Sequence, residues 1–424
     1  MQEYLLQYIW KQLLFNTKDL TTTNGNALQI IDNGRQNKNG GPDFCNAKIK
    51  MDDVIFVGNI EIHIYASTWK QHKHHLDKKY NNVILHVVLF NDESIADLPT
   101  LELNGRISSL LLKKYEEFQQ SEEVIICKNL LDKVDDFTIE KWKERILVER
   151  LERKTKEILN SLENNNNDWE QTAYQLVGKY FGSHINKEPF EQLTQLLDFK
   201  ILLKHQDNLL QIEALLFGVA GFLNKDFVES YPRTLKQEFS FLKQKYNLKS
   251  LQEHQWQFLR IRPISFPTIR LAWFAKIIQH FPIMQQMLSE QSIEFLDEIE
   301  VSDYWSNHYV FEKWSKPISK LLGNDFKSIL KINVFVPLSF AYAKYIDDAV
   351  YAEQVFDVLQ NIKPENNTKT QLYDKHKWRI NSAYDTQALL ELHDNYCLLK
   401  KCIDCTICHS ILSTTEASEF AKLY

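Results

Sequence analysis

The sequence predicts an α+β protein in which a mixed β-sheet domain is followed by a mainly α-helical region. Three observations point there. Runs of β-branched and apolar residues crowd the first 120 residues, helical spacing dominates from about residue 138, and 424 residues exceed what one ordinary core holds. The expected division is residues 1–120 for the sheet domain and 121–424 for the helical region, the latter as one or two subdomains.

The elements follow in order. Tyr4, Leu5, Tyr8, Ile9, Gln12 and Leu13 carry helical spacing at the start of the chain. Ala27–Asp32 is a short apolar run behind the turn at Gly25, and Phe44–Lys50 follows the Gly40-Gly41-Pro42 break. Met51-Asp52-Asp53 suits a hairpin turn into the β-branched run Val54–Tyr65. Ser67–Tyr80 reads as short helix or irregular chain, and Asn82–Phe90 as a strand buried on both faces. Ile139–Leu162 is a charged amphipathic helix ending in the polar connector 163–168. Further helices are expected over Trp169–Phe181, Pro189–Leu197, Leu209–Leu223, Pro232–Tyr246 and Thr268–Phe281.

Composition excludes several classes. With 44% hydrophobic and 25% charged residues, 11 Gly and 10 Pro, the chain is neither collagen-like nor wholly disordered. No apolar run reaches the eighteen or so residues of a membrane span, since Gln211 and Glu213 interrupt the best candidate. The first residues lack a basic start and a long apolar stretch, so a soluble, cytoplasmic protein with no membrane association is expected. A net charge of −6 argues against a uniformly basic surface, yet permits a local basic channel. Cys45 and Cys127 stand alone while four cysteines crowd the C-terminus, which fits a reducing compartment better than a disulfide framework.

The densest chemistry lies in Gly41-Pro42-Asp43-Phe44 and in Glu61-Ile62-His63. A strand alternates its faces with period two, so Ile60, Ile62 and Ile64 point into a core while Glu61 and His63 point together the other way. A hairpin partner headed by Asp43 brings a second carboxylate beside Glu61. Two converging carboxylates suit a hard cation, Mg²⁺ or Mn²⁺, with Asp43 and Glu61 as ligands and His63 as the base that orients or deprotonates a water. The plainer reading is a turn-starting Pro-Asp and a solvated strand Glu.

This pattern resembles the PD-(D/E)XK nuclease superfamily. That resemblance implies a restriction-endonuclease-like fold over about the first hundred residues, with Pro42-Asp43 as the first motif and Glu61-Ile62-His63 as the second. Glu3 stands where some members carry an acidic residue on the opening helix, and His63 replaces the expected Lys. The whole chain also resembles the uncharacterised bacterial "domain of unknown function 2851" family. GPDF at Gly41–Phe44, EIH at Glu61–His63, WKQHKHHLD at Trp69–Asp77, YNNVILHVV at Tyr80–Val88, EALLFGVAGFL at Glu213–Leu223, RIRPISFPTIRLA at Arg260–Ala272 and YCLLKKCIDC at Tyr396–Cys405 carry it.

Other clusters stand beside this one. His72, His74, Asp77 and His86 form a candidate second metal or phosphate site, with His-x-His read as two imidazoles on one strand face. A loop of solvated histidines, with His86 satisfied in its strand, is the alternative. Cys397, Cys402, Cys405 and Cys408 can hold Zn²⁺ or an iron–sulfur cluster, or can be buried small hydrophobes. Some PD-(D/E)XK nucleases carry such a cluster. Arg260, Arg262 and Arg270 are candidate phosphate contacts, with structural salt bridges as the commoner role. Trp69, Gly218 with Gly221, Tyr304-Trp305 and His308-Tyr309 read as packing.

The function expected first is a metal-dependent nuclease hydrolysing phosphodiester bonds of DNA or RNA. A catalytically inactive nucleic-acid-binding or scaffold protein on the same fold is the first alternative, and a zinc-dependent hydrolase using the histidine cluster the second.

Overall fold

Helix α1 (Glu3–Gln12) opens the chain because Leu5, Leu6, Ile9 and Trp10 recur at helical spacing and bury one face. Leu13, in the left-handed region at φ 52°, ends it. A computed structural model describes residues 2–37, 39–281, 294–374 and 377–420 of the chain. It comprises two compact units, the first of Met1–Glu144, Gln371–Trp378 and Leu389–Tyr424, the second of Arg145–Thr370 and Arg379–Ala388.

The first unit holds a seven-stranded mixed sheet. Its strands are β1 (Leu20–Thr21), β2 (Ala27–Asp32), β3 (Arg35–Gln36), β4 (Phe44–Met51), β5 (Val54–Tyr65), β6 (Val83–Phe90) and β7 (Thr100–Glu102). The spatial order is β1-β2-β4-β5-β6-β7, with β3 beside β4. β2, β4 and β5 run antiparallel, whereas β5, β6 and β7 run parallel. Asp52, at φ 48°, and Asp53 make the tight turn between β4 and β5. The parallel step from β5 to β6 needs a crossover, which the short helix α2 (Thr68–Gln71) and two 3-10 turns supply. Gly58 lets β6 approach there: a Cβ on it would stand 2.6 Å from the Asn82 carbonyl oxygen. The strands β1, β3 and β7 have two or three residues each, too few for alternation to register in the sequence.

Helix α3 (Ser109–Gln120) belongs to the first unit, and α4 (Asp136–Asn164) begins in it and continues into the second. The compact units thus part at Glu144, within a helix, and not near residue 120 where the composition changes. The C-terminal segment also departs from the expected division. The helix Thr406–Phe420 packs on α3 and on the 3-10 turn Lys128–Lys133, so the terminal cysteines join the sheet unit and not the helical one. Local composition registers a change of secondary structure, but not a chain that returns.

The second unit is helical among its described residues. α5 (Trp169–Phe181), α6 (Lys187–Leu196), α7 (Phe199–Leu203), α8 (Leu209–Val219), α9 (Ser230–Tyr246) and α10 (Pro267–Ile278) surround a core rich in aromatic rings, among them Phe181, Phe190, Phe217, Phe274 and Trp305. Gly218 lets α8 and α9 touch: a Cβ there would meet the Phe239 ring at 2.2 Å. Gly218→Ala should therefore destabilise the protein by about 1–3 kcal/mol, read as a lower urea midpoint.

Glu213 lies buried on α8, where the hydroxyls of Tyr231 and Ser302 donate to its two carboxylate oxygens, the latter at 2.9 Å. Burial pushes its carboxyl from the ordinary 4.5 up to about 7, against those hydrogen bonds. The folded state then holds the proton more tightly than the unfolded one, so this group lowers stability progressively as pH rises from about 4.5 to 7. Glu213→Gln should remove that loss. Relative to the unsubstituted protein, the variant should gain up to about 3 kcal/mol between pH 5 and pH 8 in denaturant melts.

Candidate metal centre

The site grows from the pairing of three strands. In the antiparallel pair, Phe44 stands opposite Ile60, so Asp43, one residue before β4, reaches Glu61. The main-chain N–H of Asp43 donates to Glu61 Oε2 at 3.1 Å, and that of Ile62 donates to Asp43 Oδ2 at 3.0 Å. Gln7 of α1 donates its side-chain N–H to Asp43 Oδ1 at 2.8 Å. Both oxygens of Asp43 thus accept hydrogen bonds from the protein, while Glu61 keeps Oε1 turned toward the histidines.

On the other side, Glu61 faces His86 in the parallel register of β5 and β6. His63, two residues along the same face, has its Nδ1 2.8 Å from His86 Nε2. That contact leaves His63 Nε2 directed at Glu61 Oε1, 3.5 Å away. Glu61, His63 and His86 are all buried, and Ile60 and Ile62 fill the opposite face.

His72 and His74 arrive from the crossover. They do not share a strand face. His72 caps the C-terminus of α2, Lys73 turns the chain with φ 61°, and His74 begins a 3-10 turn. This reversal aims both imidazoles at His63, with ring centroids of the three 5.4–5.5 Å apart. Tyr80 stacks on His74 at 3.9 Å and Trp69 meets its edge at 5.3 Å, holding the ring in place. His74 Nε2 lies 3.4 Å from Glu61 Oε1, and this buried nitrogen has no hydrogen-bond partner.

The donors fit a metal ion. One ligand atom each from His63, His72 and His74 falls within 4.8 Å of the others. Glu61 lies outside that group, its Oε1 3.5 Å from His63 Nε2 and 3.4 Å from His74 Nε2. Three imidazoles favour a borderline-soft ion such as Zn²⁺ over Mg²⁺ and leave its fourth position open. His86 takes no place among these donors: it orients His63 from behind, as partners of metal-bound histidines do. Asp77 is exposed and accepts the N–H of Lys79 at 2.9 Å.

The electrostatics match. Burial, then the charge of Asp43, pushes the Glu61 carboxyl up to about 9. Burial raises Asp43 to about 7, with Glu3 adding to the shift. Burial and the neighbouring imidazoles push His63 down to about 3, so it is neutral and ready to donate a lone pair. A cation placed between them relieves the repulsion of the acids and needs no imidazole to lose a proton. His63 and Glu61 are sealed from solvent, but His72 is exposed and His74 half-buried, so the cluster is reached from the crossover side.

The remaining candidates lie elsewhere. Arg270 is in the second unit, its guanidinium 3.7 Å from the centroid of the Phe326 ring, and burial lowers it to about 10. Arg260 and Arg262 are exposed. The C-terminal cysteines gather in the first unit with Cys127, which its isolation in the sequence gave no reason to include. Gln7 and Tyr80 were equally hidden, because an amide on a helix and a ring in a loop carry no spacing signal.

A family model described as "Protein of unknown function (DUF2851)" matches residues 3–368. The chain belongs to this family. The DUF2851 match includes every residue of the acidic and histidine cluster and stops short of Cys397. No curated protein and no solved structure matches the chain.

Metal affinity tests the arrangement. Competition with a chromophoric chelator should show about one zinc-class ion per chain. Removing an imidazole with His74→Ala should weaken it more than His86→Ala does, the latter by about 10–100-fold.

Proposed function

We propose that this protein is a metal-dependent phosphodiester hydrolase whose ion is of the zinc class and is held by His63, His72 and His74, with Glu61 beside them and the fourth position left to water. The observation that carries this is the meeting of His63, His72 and His74 within 4.8 Å, with the unpartnered His74 Nε2 3.4 Å from Glu61 Oε1. When bound, the ion supplies a Lewis acid and a water acidified toward neutral pH. The chain's own residues do the rest. Asp43 and Gln7 hold the backbone and carboxylate around Glu61, and His86 fixes the ring of His63. His72, on the exposed side, leaves a direction for substrate to approach.

Two features support a phosphate-bearing substrate. Lys73, Lys78 and Lys79 are exposed on the crossover that carries His72 and His74, an anion-attracting rim on a chain of net charge −6. A helix, then an antiparallel run of strands, a crossover and a parallel strand is also the order that the PD-(D/E)XK resemblance implies. With Asp43 heading one strand and Glu61 on the next, nucleic acid, DNA or RNA, is the substrate class of choice. A second reading, binding without cleavage, is favoured by His63 standing where that resemblance expects an ammonium.

Hydrolysis of bis(p-nitrophenyl) phosphate and of single- and double-stranded DNA and RNA, with Zn²⁺, Mn²⁺ or Mg²⁺ added to metal-free protein, separates these. Turnover should appear with Zn²⁺ or Mn²⁺ and fall at least about 100-fold in Glu61→Gln and His74→Ala, whose circular dichroism should be unchanged. A fully metallated protein that cleaves none of these substrates would sink the hydrolase. Retarded migration of nucleic acid by that inert protein would then establish the binding reading.

A further inference from the structure

Five of the six cysteines converge in the first unit from distant parts of the chain. Cys127 precedes the 3-10 turn Lys128–Lys133, Cys397 ends the π-helical turn His393–Cys397, and Cys402, Cys405 and Cys408 follow at steps of three. The C-terminal helix packs both on the turn behind Cys127 and on the turn Cys402–Asp404. Cys127 lies within electrostatic reach of Cys397, Cys402, Cys405 and Cys408. Cys45, the sixth, is on strand β4.

Buried small hydrophobes would explain Cys405 and Cys408, but not the whole set. Cys127, Cys397 and Cys402 are only partly buried. Cys405 precedes the C-terminal helix, and its sulfur accepts the main-chain N–H groups of Ile407 and Cys408. Cys402 lies beside Cys408, and Cys397 beside Tyr373. The ammonium of Lys400 lies near Cys402. Metal binding takes these sulfurs as thiolates and releases their protons.

Spacing separates the candidate metals. Thiolates on a single zinc, at about 2.3 Å from it, stand about 3.8 Å from one another. Among the described residues no three of these sulfurs lie within 4.8 Å of one another. A cubane cluster, with an iron at each ligand corner, holds its thiolates farther apart than one ion does. The run Cys402-x2-Cys405-x2-Cys408 is also the spacing that supplies three ligands of such a cluster and takes its fourth from elsewhere. We infer that Cys127 is that fourth ligand, completing with Cys402, Cys405 and Cys408 the binding site of an iron–sulfur cluster. Cys397, next to Tyr373, stands beside it. The cluster pins the C-terminal segment to the turn after α3, independently of any chemistry at Glu61.

The full chain, purified without oxygen and reconstituted with ferrous iron and sulfide, should carry about four irons and four acid-labile sulfides, with visible charge-transfer absorption. Cys127→Ser and Cys405→Ser should each lose most of that absorption, and Cys45→Ser none. If Cys127→Ser does not fold, alkylation of the unsubstituted protein reads the same ligand: Cys127 should resist iodoacetamide until the iron is removed. Zinc held by the cysteines in place of iron, read as an ion that persists in His74→Ala and is lost in Cys405→Ser, overturns the inference. So does failure to take up iron, a folded Cys127→Ser with its full cluster, or a Cys127 that is alkylated equally with and without iron.

Discussion

The first unit is organised around one buried carboxylate. Glu61 sits inside a sheet, where an uncompensated negative charge is costly, and the surrounding chain answers each of its oxygens separately. Oε2 takes the main-chain N–H of Asp43 from the antiparallel neighbour, and Oε1 faces imidazoles from its own strand and from the crossover. The mixed sheet makes this division. An antiparallel partner on one side and a parallel partner on the other place different side chains beside the same residue.

The parallel step has a further consequence. It obliges the chain to leave the sheet after Tyr65 and return at Val83, and the connecting residues are the ones that bring His72 and His74 back over β5. Trp69 and Tyr80, packed with Ile95, Leu98 and Val83 in a small separate apolar cluster, anchor that connection. The geometry of the histidines is therefore set by apolar packing beneath them and by the left-handed turn at Lys73. Rigid support of this kind holds donor atoms at ligand distance.

Different parts of this were legible to different degrees. Ile60, Ile62 and Ile64 alternate with Glu61 and His63, and period two alone assigns their faces. The two-residue turn pairs Ala47 with Gly58, a register that would set Asp43 opposite Ile62. The irregularity between Phe44 and Ala47, with Asn46 at φ 59°, shifts it by one and brings Asp43 to Glu61. His72 and His74 do come together, but not on one strand face, because the chain between them turns at a positive φ. His86 was visible as a histidine in a buried strand, but its service to His63 depends on the parallel register.

Sequence by itself determined the α+β class, the succession of long strands and helices, and the shared face of Glu61 and His63. These follow from side-chain periodicity, a property of the chain within a few residues. Only the tertiary structure decided that His72 and His74 meet His63, that Cys127 joins the terminal cysteines, and that the last segment returns to the sheet unit. Each of these is a contact between segments whose order in the chain says nothing of their distance in space. The packing of apolar surface that closes such contacts has no local signature.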